Sequence, residues 1–241
     1  MSIKLNTFSI TARCSETGQL GVAVSTKVPA VGMLCPFVES HVGAIATQSF
    51  VNPYLGIWGL DFLRDNRTAE ETLAYLKESD VDIELRQLGI VDRWGNSVTF
   101  TGSKCDTWRG DLCDVNYAIA GNMLVGAETL EAMQRSFVLS EKSGQSLAER
   151  LLMALEAGQA AGGDKRGRQS AALKVYGDEA YPLLDLRVDE HPDPIHELSR
   201  IYGVARETLL PFINMLPTKA QPAGTFDFDE SRKRGLLHDD Q

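Results

Sequence analysis

The predicted strands of this chain come in runs and its helices come in pairs, and this order limits the folds open to it. Residues 7–13 and 20–26 alternate apolar with polar or small side chains, and residues 15–18 between them have the composition of a turn. Residues 42–47 are rich in Gly, Ala and Ile without alternation, as in a strand that is covered on both faces. The sequence therefore opens with a β-hairpin and a third strand.

Two pairs of helices, two further groups of strands and two closing helical segments follow. Apolar residues that recur every three or four positions predict the helices, and two of these begin at capping boxes of the Thr-x-x-Glu and Ser-x-x-Glu type. Short β-like segments between the pairs predict the strands. The predicted helices cover 57–65, a segment that starts at Thr68, 130–137, 147–155, 194–202 and 205–214; the predicted strands cover 85–92, 97–101, 115–120, 170–176 and 183–189.

This order favours one fold class. Strands joined by short hairpins favour antiparallel sheets, and helices in consecutive pairs favour helical layers outside the sheets. The sequence therefore predicts an α+β fold, a four-layer αββα sandwich in which two stacked antiparallel sheets lie between helices. A doubly wound parallel sheet is the competing class, but no strand-to-helix turn of the G-x-G-x-x-G type occurs. We expect one domain over residues 1–203, and a C-terminal helical extension with a partly ordered tail over 204–241.

Charge and composition exclude several classes of function. The chain has 24 Lys and Arg residues against 33 Asp and Glu, and its formal net charge is −9, so its surface repels nucleic acids. Lys27, Pro29 and Pro36 interrupt the most apolar stretch, and no secretory signal opens the sequence. We therefore expect a cytoplasmic protein with no membrane or nucleic-acid partner. The four cysteines form no C-x-x-C pair, and we expect no metal or other cofactor.

Six segments spread along the chain together resemble one known family. The segments are T-F-S-I at 7–10, A-T-Q and N-P within 46–53, R-Q at 86–87, G-N at 121–122, G-G-D-K-R-G-R-Q-S-A-A-L at 162–173 and D-L-R-V-D-E-H-P-D-P at 185–194. They resemble a bacterial family known as domain of unknown function 1028, within the N-terminal-nucleophile hydrolase-like superfamily. The resemblance covers residues 5–203. It implies the αββα sandwich and leaves the reaction open.

The resemblance also implies a nucleophile. In the superfamily a Thr, Ser or Cys begins the first strand, and its own α-amine takes the proton from its side chain. Here that residue is Thr7, and Lys27 lies where the superfamily often carries a cation that lowers the pKa of a neighbouring group. Asn122 and Asn52, in loop-like contexts, are candidate donors to an oxyanion. Six residues precede Thr7, so its amine is free only when they are removed.

Each of these residues also has a structural interpretation. Thr7 is a β-branched residue suited to a strand, Lys27 suits a solvated strand end, and Asn is common in turns. Two functions therefore stay open. The first is hydrolysis of a small amide-like substrate, and the second is a non-catalytic binding or assembly role on the same fold. We expect a homodimer in either case.

Residues 162–170 hold three glycines and three cations, more than a helix C-cap needs. Flexible N–H groups and cations favour a carboxylate or phosphate, so this loop predicts an anionic small-molecule substrate. The candidate substrate contacts there are Asp164, Arg166, Arg168 and Gln169. Arg86 and Gln87, at a strand start, are further candidates to orient a ligand, and the alternative for both is pairing with acids across the sheet.

Carboxylates and a histidine crowd together only near residue 190. Asp189 and His191 are two positions apart, which puts both side chains on one face of a strand. Such a pair can contact substrate, act as acid and base, or bind a metal, and the alternative is a surface salt bridge. We assign both residues to substrate binding and assign no metal.

Overall fold

A computed structural model describes residues 7–164, 166–225 and 232–233. The chain divides into two compact units, one that ends at Leu198 and one that begins at Ser199. The six N-terminal residues and most of the predicted tail beyond Thr225 lie outside the described residues.

Ten strands of the first unit form two antiparallel sheets. The six-stranded sheet has the order β10-β9-β2-β1-β8-β7, and the four-stranded sheet has the order β3-β4-β5-β6. The strands are β1 (Thr7–Arg13), β2 (Leu20–Thr26), β3 (Pro36–Glu39), β4 (Gly43–Ser49), β5 (Arg86–Asp92), β6 (Ser97–Thr101), β7 (Gly110–Asp114), β8 (Tyr117–Asn122), β9 (Ser170–Tyr176) and β10 (Leu184–Val188).

Two pairs of helices cover the outer faces of the sheets. The helices are α1 (Pro53–Arg64), α2 (Ala69–Ser79), α3 (Glu128–Lys142), α4 (Leu147–Ala160), α5 (Pro194–Glu207) and α6 (Leu209–Ile213). The pair α1 and α2 packs on the four-stranded sheet, and the pair α3 and α4 packs on the six-stranded sheet. The four layers are therefore helices, sheet, sheet and helices, which confirms the predicted α+β sandwich.

Alternation along β1 divides its side chains between two layers. Phe8 faces α4, where its ring lies close to Gly158. Thr11 faces the opposite way and its hydroxyl donates to the Gly89 carbonyl of β5 at 3.4 Å. Because side chains on a strand point alternately to the two faces, Thr7 shares the inner face with Thr11. The start of β1 therefore points its first side chain between the sheets.

Apolar clusters fill the two sides of the four-stranded sheet. Between the sheets the buried residues are Leu20, Val22, Val24, Val31, Cys35, Val38, Ala44, Ala46 and Ala172. Beneath α1 and α2 they are Val42, Ile45, Leu55, Leu63, Ala69, Leu76, Leu88 and Ile90. Burial of each Val, Leu or Ile side chain in these clusters contributes about 1.5–3 kcal/mol relative to exposure.

The structure corrects several predicted boundaries. Helix α1 begins at Pro53 rather than at residue 57, because Asn52 caps it and proline suits the first helical position. Strand β8 begins at Tyr117 rather than at 115, because Asn116 has a left-handed φ of 70° and makes the turn from β7. Strands β3 and β7 were not predicted. Both are short edge strands of four and five residues, and β7 is only partly buried.

The second unit contains α6 and the turns that follow it. The sequence predicted helices over 194–202 and 205–214. The structure has them at Pro194–Glu207 and Leu209–Ile213. Across residues 7–164, 166–225 and 232–233, no helix combines the length and the apolar character that crossing a bilayer requires.

Candidate functional site

Thr7 begins a central strand of the six-stranded sheet and is 3% exposed. Its neighbours in register are Thr26 on β2 and Asn122 on β8, and both are fully buried. Paired residues of antiparallel strands share a face, so all three side chains point toward the four-stranded sheet. The hydroxyl oxygens of Thr7 and Thr26 lie 3.1 Å apart, and either can donate.

A pocket of about 300 Å³, counted with the space that opens to solvent, reaches the Thr7 side chain. Among the described residues, no Asp, Glu, Lys, Arg or His lines it, and the polar groups of its lining are neutral hydroxyl, thiol and amide groups. We call it the Thr7 pocket. Its lining residues are Thr7, Val28, Pro29, Val31, Leu34, Cys35, Thr47, Gln48, Ser49 and Val51.

Cys35 is the second nucleophilic side chain in the Thr7 pocket. Burial raises the pKa of its thiol to about 12, although the backbone N–H of Thr47 opposes part of this rise. At neutral pH the side chain is therefore a thiol rather than the reactive thiolate. Its Sγ lies 4.0 Å from Oε1 of Gln48, to which it donates a weak hydrogen bond. Burial therefore leaves Cys35 unactivated for covalent chemistry at neutral pH.

Non-glycine residues with left-handed backbone surround the pocket. Ser49, which lines it, has φ 70°; Ala30, next to the lining residue Pro29, has φ 57°; and Met123, after Asn122, has φ 52°. Such conformations cost about 1–3 kcal/mol each for residues with a Cβ and concentrate at functional sites. The strain therefore coincides with the end of the sheets at which Thr7 lies.

A chain of buried amides connects the two sheets beside Thr7. The amide nitrogen of Gln48 donates to Oε1 of Gln87 at 2.8 Å and lies 3.5 Å from the carbonyl oxygen of Thr7. The amide nitrogen of Asn122 donates to the same Gln87 oxygen at 2.9 Å. Within the described part of the chain, Oδ1 of Asn122 is buried and has no hydrogen-bond partner.

Gln87 is held on its other side by three acceptors. Its Nε2 donates to the carbonyls of Gly121 at 2.9 Å and Gly110 at 3.1 Å, and to the hydroxyl of Thr101 at 2.8 Å. The Thr101 hydroxyl in turn donates to the carboxylate of Asp111. A continuous series of hydrogen bonds therefore joins Asp111 to the side chains next to Thr7.

A buried ion pair forms the outer support of the pocket wall. Asp80 accepts hydrogen bonds from Nε of Arg86 and from the amide of Asn52, both at 2.8 Å, and Arg86 donates to the carbonyl of Phe50 at 2.6 Å. We call Asn52, Asp80 and Arg86 the Asp80 clamp. It fixes residues 50–52, directly after the lining residue Ser49. Neither Asn52 nor Arg86 lines the pocket itself.

The charge of Asp80 depends on these partners. Burial alone would raise the pKa of its carboxyl group, but hydrogen bonds from Arg86, Asn52 and the Asp82 backbone outweigh burial and lower the pKa below its ordinary value. Asp80 therefore carries a negative charge that the Arg86 guanidinium neutralises.

Lys27 and the glycine–arginine segment meet at the end of β2. Nζ of Lys27 donates to the carbonyl of Arg168 at 3.3 Å, and the backbone N–H of Gln169 donates to the Thr26 carbonyl at 2.9 Å. The described residues of 162–170, which we call the arginine loop, therefore lie at the same end of the sheet as Thr7. Lys27 contacts this loop and does not line the Thr7 pocket.

Carboxylates face both arginines of the arginine loop. Nη2 of Arg166 lies 3.4 Å from Oδ2 of the buried Asp164, and Nη1 of Arg168 lies 3.0 Å from Oδ1 of Asp193. Nε of Arg168 also donates to the carbonyl of Pro192 at 3.2 Å. These contacts connect the loop to the segment that follows β10.

Asp189 and His191 lie beyond the end of β10 and turn to different partners. Asp189 pairs with Arg187 at 2.9 Å, and Nδ1 of His191 accepts the backbone N–H of Asp193 at 3.0 Å. Backbone bonds still bring the segment to the same end of the sheet, since the His191 N–H donates to the Gln169 carbonyl. Across residues 7–164, 166–225 and 232–233, no three His, Cys, Asp or Glu side chains are grouped as a metal site.

Of the residues that the sequence indicated, Thr7 and Asn122 are neighbours, and the others lie in the Asp80 clamp or near the arginine loop. Gln48 received no site assignment from the sequence, and Gln87 was considered only beside Arg86, as a residue that orients a ligand or pairs across the sheet. Their signal was a glutamine at the end or start of an otherwise apolar strand, where this residue type is seldom buried.

Comparison with known proteins places the chain in a family. Among curated proteins, none matches the chain. The crystal structure of a protein from Silicibacter pomeroyi, assigned to the family DUF1028, is 31% identical, with a TM-score of 0.84 over 92% of this chain and 100% of that one. Anbu (ancestral beta-subunit) from Yersinia bercovieri is 13% identical, with a TM-score of 0.37 over 87% of this chain and 98% of that one. The model of the family of unknown function DUF1028 matches residues 7–198, and the chain belongs to that family.

Proposed function

We propose that this protein hydrolyses a small amide, with the hydroxyl of Thr7 as the nucleophile. One observation carries the proposal: a threonine hydroxyl lies buried at the start of a central strand, in contact with an uncharged pocket and beside a chain of buried amides. Buried polar groups with spare hydrogen-bonding capacity are costly to keep, and they concentrate where a ligand uses them.

The proposed reaction needs a base for the hydroxyl proton. The side chain of Thr7 has the Thr26 hydroxyl as its hydrogen-bond partner within the described residues, and no carboxylate or imidazole contacts it. Cleavage between Asn6 and Thr7 would free the α-amine of Thr7, whose ordinary pKa of about 8 suits it to this task. The proposal therefore includes removal of the six preceding residues.

The chemistry then runs in two steps. The Thr7 oxygen attacks the amide carbon, its proton passes to the α-amine, and the same proton leaves with the amine product as the C–N bond breaks. Water next attacks the resulting threonyl ester, and the hydroxyl of Thr7 is restored as the acid product leaves.

The lining of the pocket favours a neutral, aliphatic acyl group. Half of the ten lining residues are Val, Leu or Pro, and none carries a charge. A charged acyl group would lose its hydration against these side chains without gaining an ion pair from any of them, at a cost of several kcal/mol. We therefore propose that the acyl side of the substrate is small and uncharged.

A binding role without catalysis is the second candidate. The absence of a side-chain base next to Thr7 in the described residues favours it, because such a site binds its ligand without activating the hydroxyl. The two functions predict different behaviour of one chromogenic substrate, N-isobutyryl-p-nitroanilide, which carries a small aliphatic acyl group and releases p-nitroaniline on hydrolysis.

Hydrolysis is measured on the full chain and on a chain produced to begin at Thr7. We expect the second to release p-nitroaniline, Thr7→Ser to retain measurable activity, and Thr7→Val to lose at least about a thousandfold in rate, because valine keeps the shape but removes the nucleophile. Thermal unfolding verifies that both variants fold.

An active Thr7→Val chain would overturn the proposed nucleophile. Inactivity of every chain, with saturable binding of the anilide, would instead support the binding role.

A further inference from the structure

The orientation of the Asn122 amide is fixed by groups that cannot change their own polarity. The carbonyl oxygens of Gly110 and Gly121 only accept hydrogen bonds, so the group of Gln87 that faces them at 3.1 and 2.9 Å must be its NH₂. The oxygen of Gln87 must then point the other way. Two amide nitrogens, those of Gln48 and Asn122, meet it at 2.8 and 2.9 Å.

This fixed direction leaves Asn122 with its oxygen unused. Reversing the Asn122 amide would bring two oxygens within 2.9 Å of each other, which costs a hydrogen bond and adds repulsion. Oδ1 of Asn122 therefore stays turned away from Gln87, buried and without a partner among the described residues. Asn122 is fully buried and does not line the Thr7 pocket itself, but it is the register neighbour, on the same face of the sheet, of Thr7, which does.

An acceptor in this position recognises a donor. A buried carbonyl oxygen without a partner costs about 1–3 kcal/mol, and a ligand N–H that reaches it recovers this cost. The nearby pocket is uncharged, so a neutral N–H group suits it better than an ammonium group.

We propose that Oδ1 of Asn122 accepts a hydrogen bond from the N–H of a neutral secondary amide bound beside Thr7, and that Gln87 holds it in that orientation. The inference rests on the proposed function for the position of the substrate, and it adds a specificity: amides are bound in preference to esters of the same shape. Asn122 is thus an acceptor for the substrate rather than a donor to an oxyanion.

The test compares two probes that differ only at this atom. N-methylisobutyramide has an N–H where methyl isobutyrate has an oxygen, and both present the same isobutyryl group. Binding is followed by NMR titration on the full chain and on Thr7→Val, which cannot turn the ester over by way of Thr7. We expect the amide to bind about tenfold more tightly than the ester.

A variant of Asn122 separates the acceptor from a donor role. Asn122→Leu keeps the shape and should bring the two affinities within about twofold. Asn214→Leu, at an exposed position after α6, is the control and should change nothing. Thermal unfolding of each variant verifies its fold, and the probe comparison on the parent chain needs no variant.

Equal affinity for the two probes on the parent chain would overturn the inference, as would a preference that survives in Asn122→Leu. Weaker binding of both probes to Asn122→Leu, without a preference on the parent chain, would assign Asn122 to donation. A preference for the amide with no Thr7-dependent hydrolysis would contradict only the proposed function. Thr7-dependent hydrolysis without the preference would contradict only this inference about Asn122.

Discussion

The Thr7 pocket and the arginine loop lie at the same end of the six-stranded sheet, and they hold their polar groups in opposite ways. In the pocket the groups are uncharged and buried, and the oxygen of Asn122 beside it has no described partner. In the arginine loop the groups are charged, and a carboxylate lies within 3.4 Å of each arginine.

This difference shows which groups are still able to bind a ligand. A guanidinium that already faces a carboxylate gains little from another anion, because the ligand must displace the existing partner. A buried acceptor without a partner has no such competitor. Counting charges therefore indicates the arginine loop as the ligand site, whereas counting unused hydrogen-bonding groups indicates the Thr7 pocket.

The largest effect on stability is expected when a buried ion pair is broken, and an exposed ion pair of the arginine loop serves for comparison. In the Asp80 clamp the side chains of Arg86 and Asp80 are 9% and 6% exposed; those of Arg168 and Asp193 are 37% and 40% exposed. Asp80→Asn should destabilise the fold by about 3–5 kcal/mol, because it leaves the Arg86 charge buried and unpaired. The matched control Asp193→Asn should cost less than about 1 kcal/mol. Urea unfolding measures both, and similar losses for the two variants would contradict the account.

The same measurement has a defined pH dependence. The folded-state pKa of Asp80 is lowered, so the clamp stabilises the protein fully above the unfolded-state pKa of about 4 and loses this contribution as the pH falls below it. The free energy of unfolding of the parent chain should therefore fall more steeply below about pH 4 than that of Asp80→Asn.

The smallest expected effect concerns Arg168. Replacing it with Ala removes an exposed ion pair and one hydrogen bond to a carbonyl, so stability should change by about 1 kcal/mol at most. Hydrolysis of N-isobutyryl-p-nitroanilide should change by less than about twofold, because Asp193 and the Pro192 carbonyl already engage the Arg168 guanidinium. A tenfold loss of activity in a stable Arg168→Ala protein would break the comparison and make the arginine loop part of the substrate site.

The sandwich could be predicted because its signals are local. Alternation in β1 and β2, and the capping boxes of Thr68 and Ser146, each act within a few residues, and the structure contains all four features. Strands β3 and β7 were missed because short edge strands are specified by the partner strand rather than by their own pattern.

The site was only partly predictable for a similar reason. Thr7 and Asn122 could be named from the resemblance, but the link between them runs through Gln87 on the other sheet. No local sequence pattern predicts the hydrogen bond between Gln87 and Asn122, which are 35 positions apart. The partners of Arg86 were equally hidden, since Asp80 precedes it by a loop whose geometry the sequence does not reveal.

The most direct test of the account is covalent labelling of the chain that begins at Thr7. A β-lactone carrying a small aliphatic substituent acylates a nucleophilic hydroxyl, and peptide mass spectrometry locates the added mass. If Thr7 is the nucleophile, we expect one adduct, on the peptide that contains Thr7, and no such adduct in Thr7→Val. Cys35 should stay unlabelled because burial keeps its side chain a thiol. An adduct on Cys35, or labelling that persists unchanged in Thr7→Val, would contradict the central claim that Thr7 is the nucleophile.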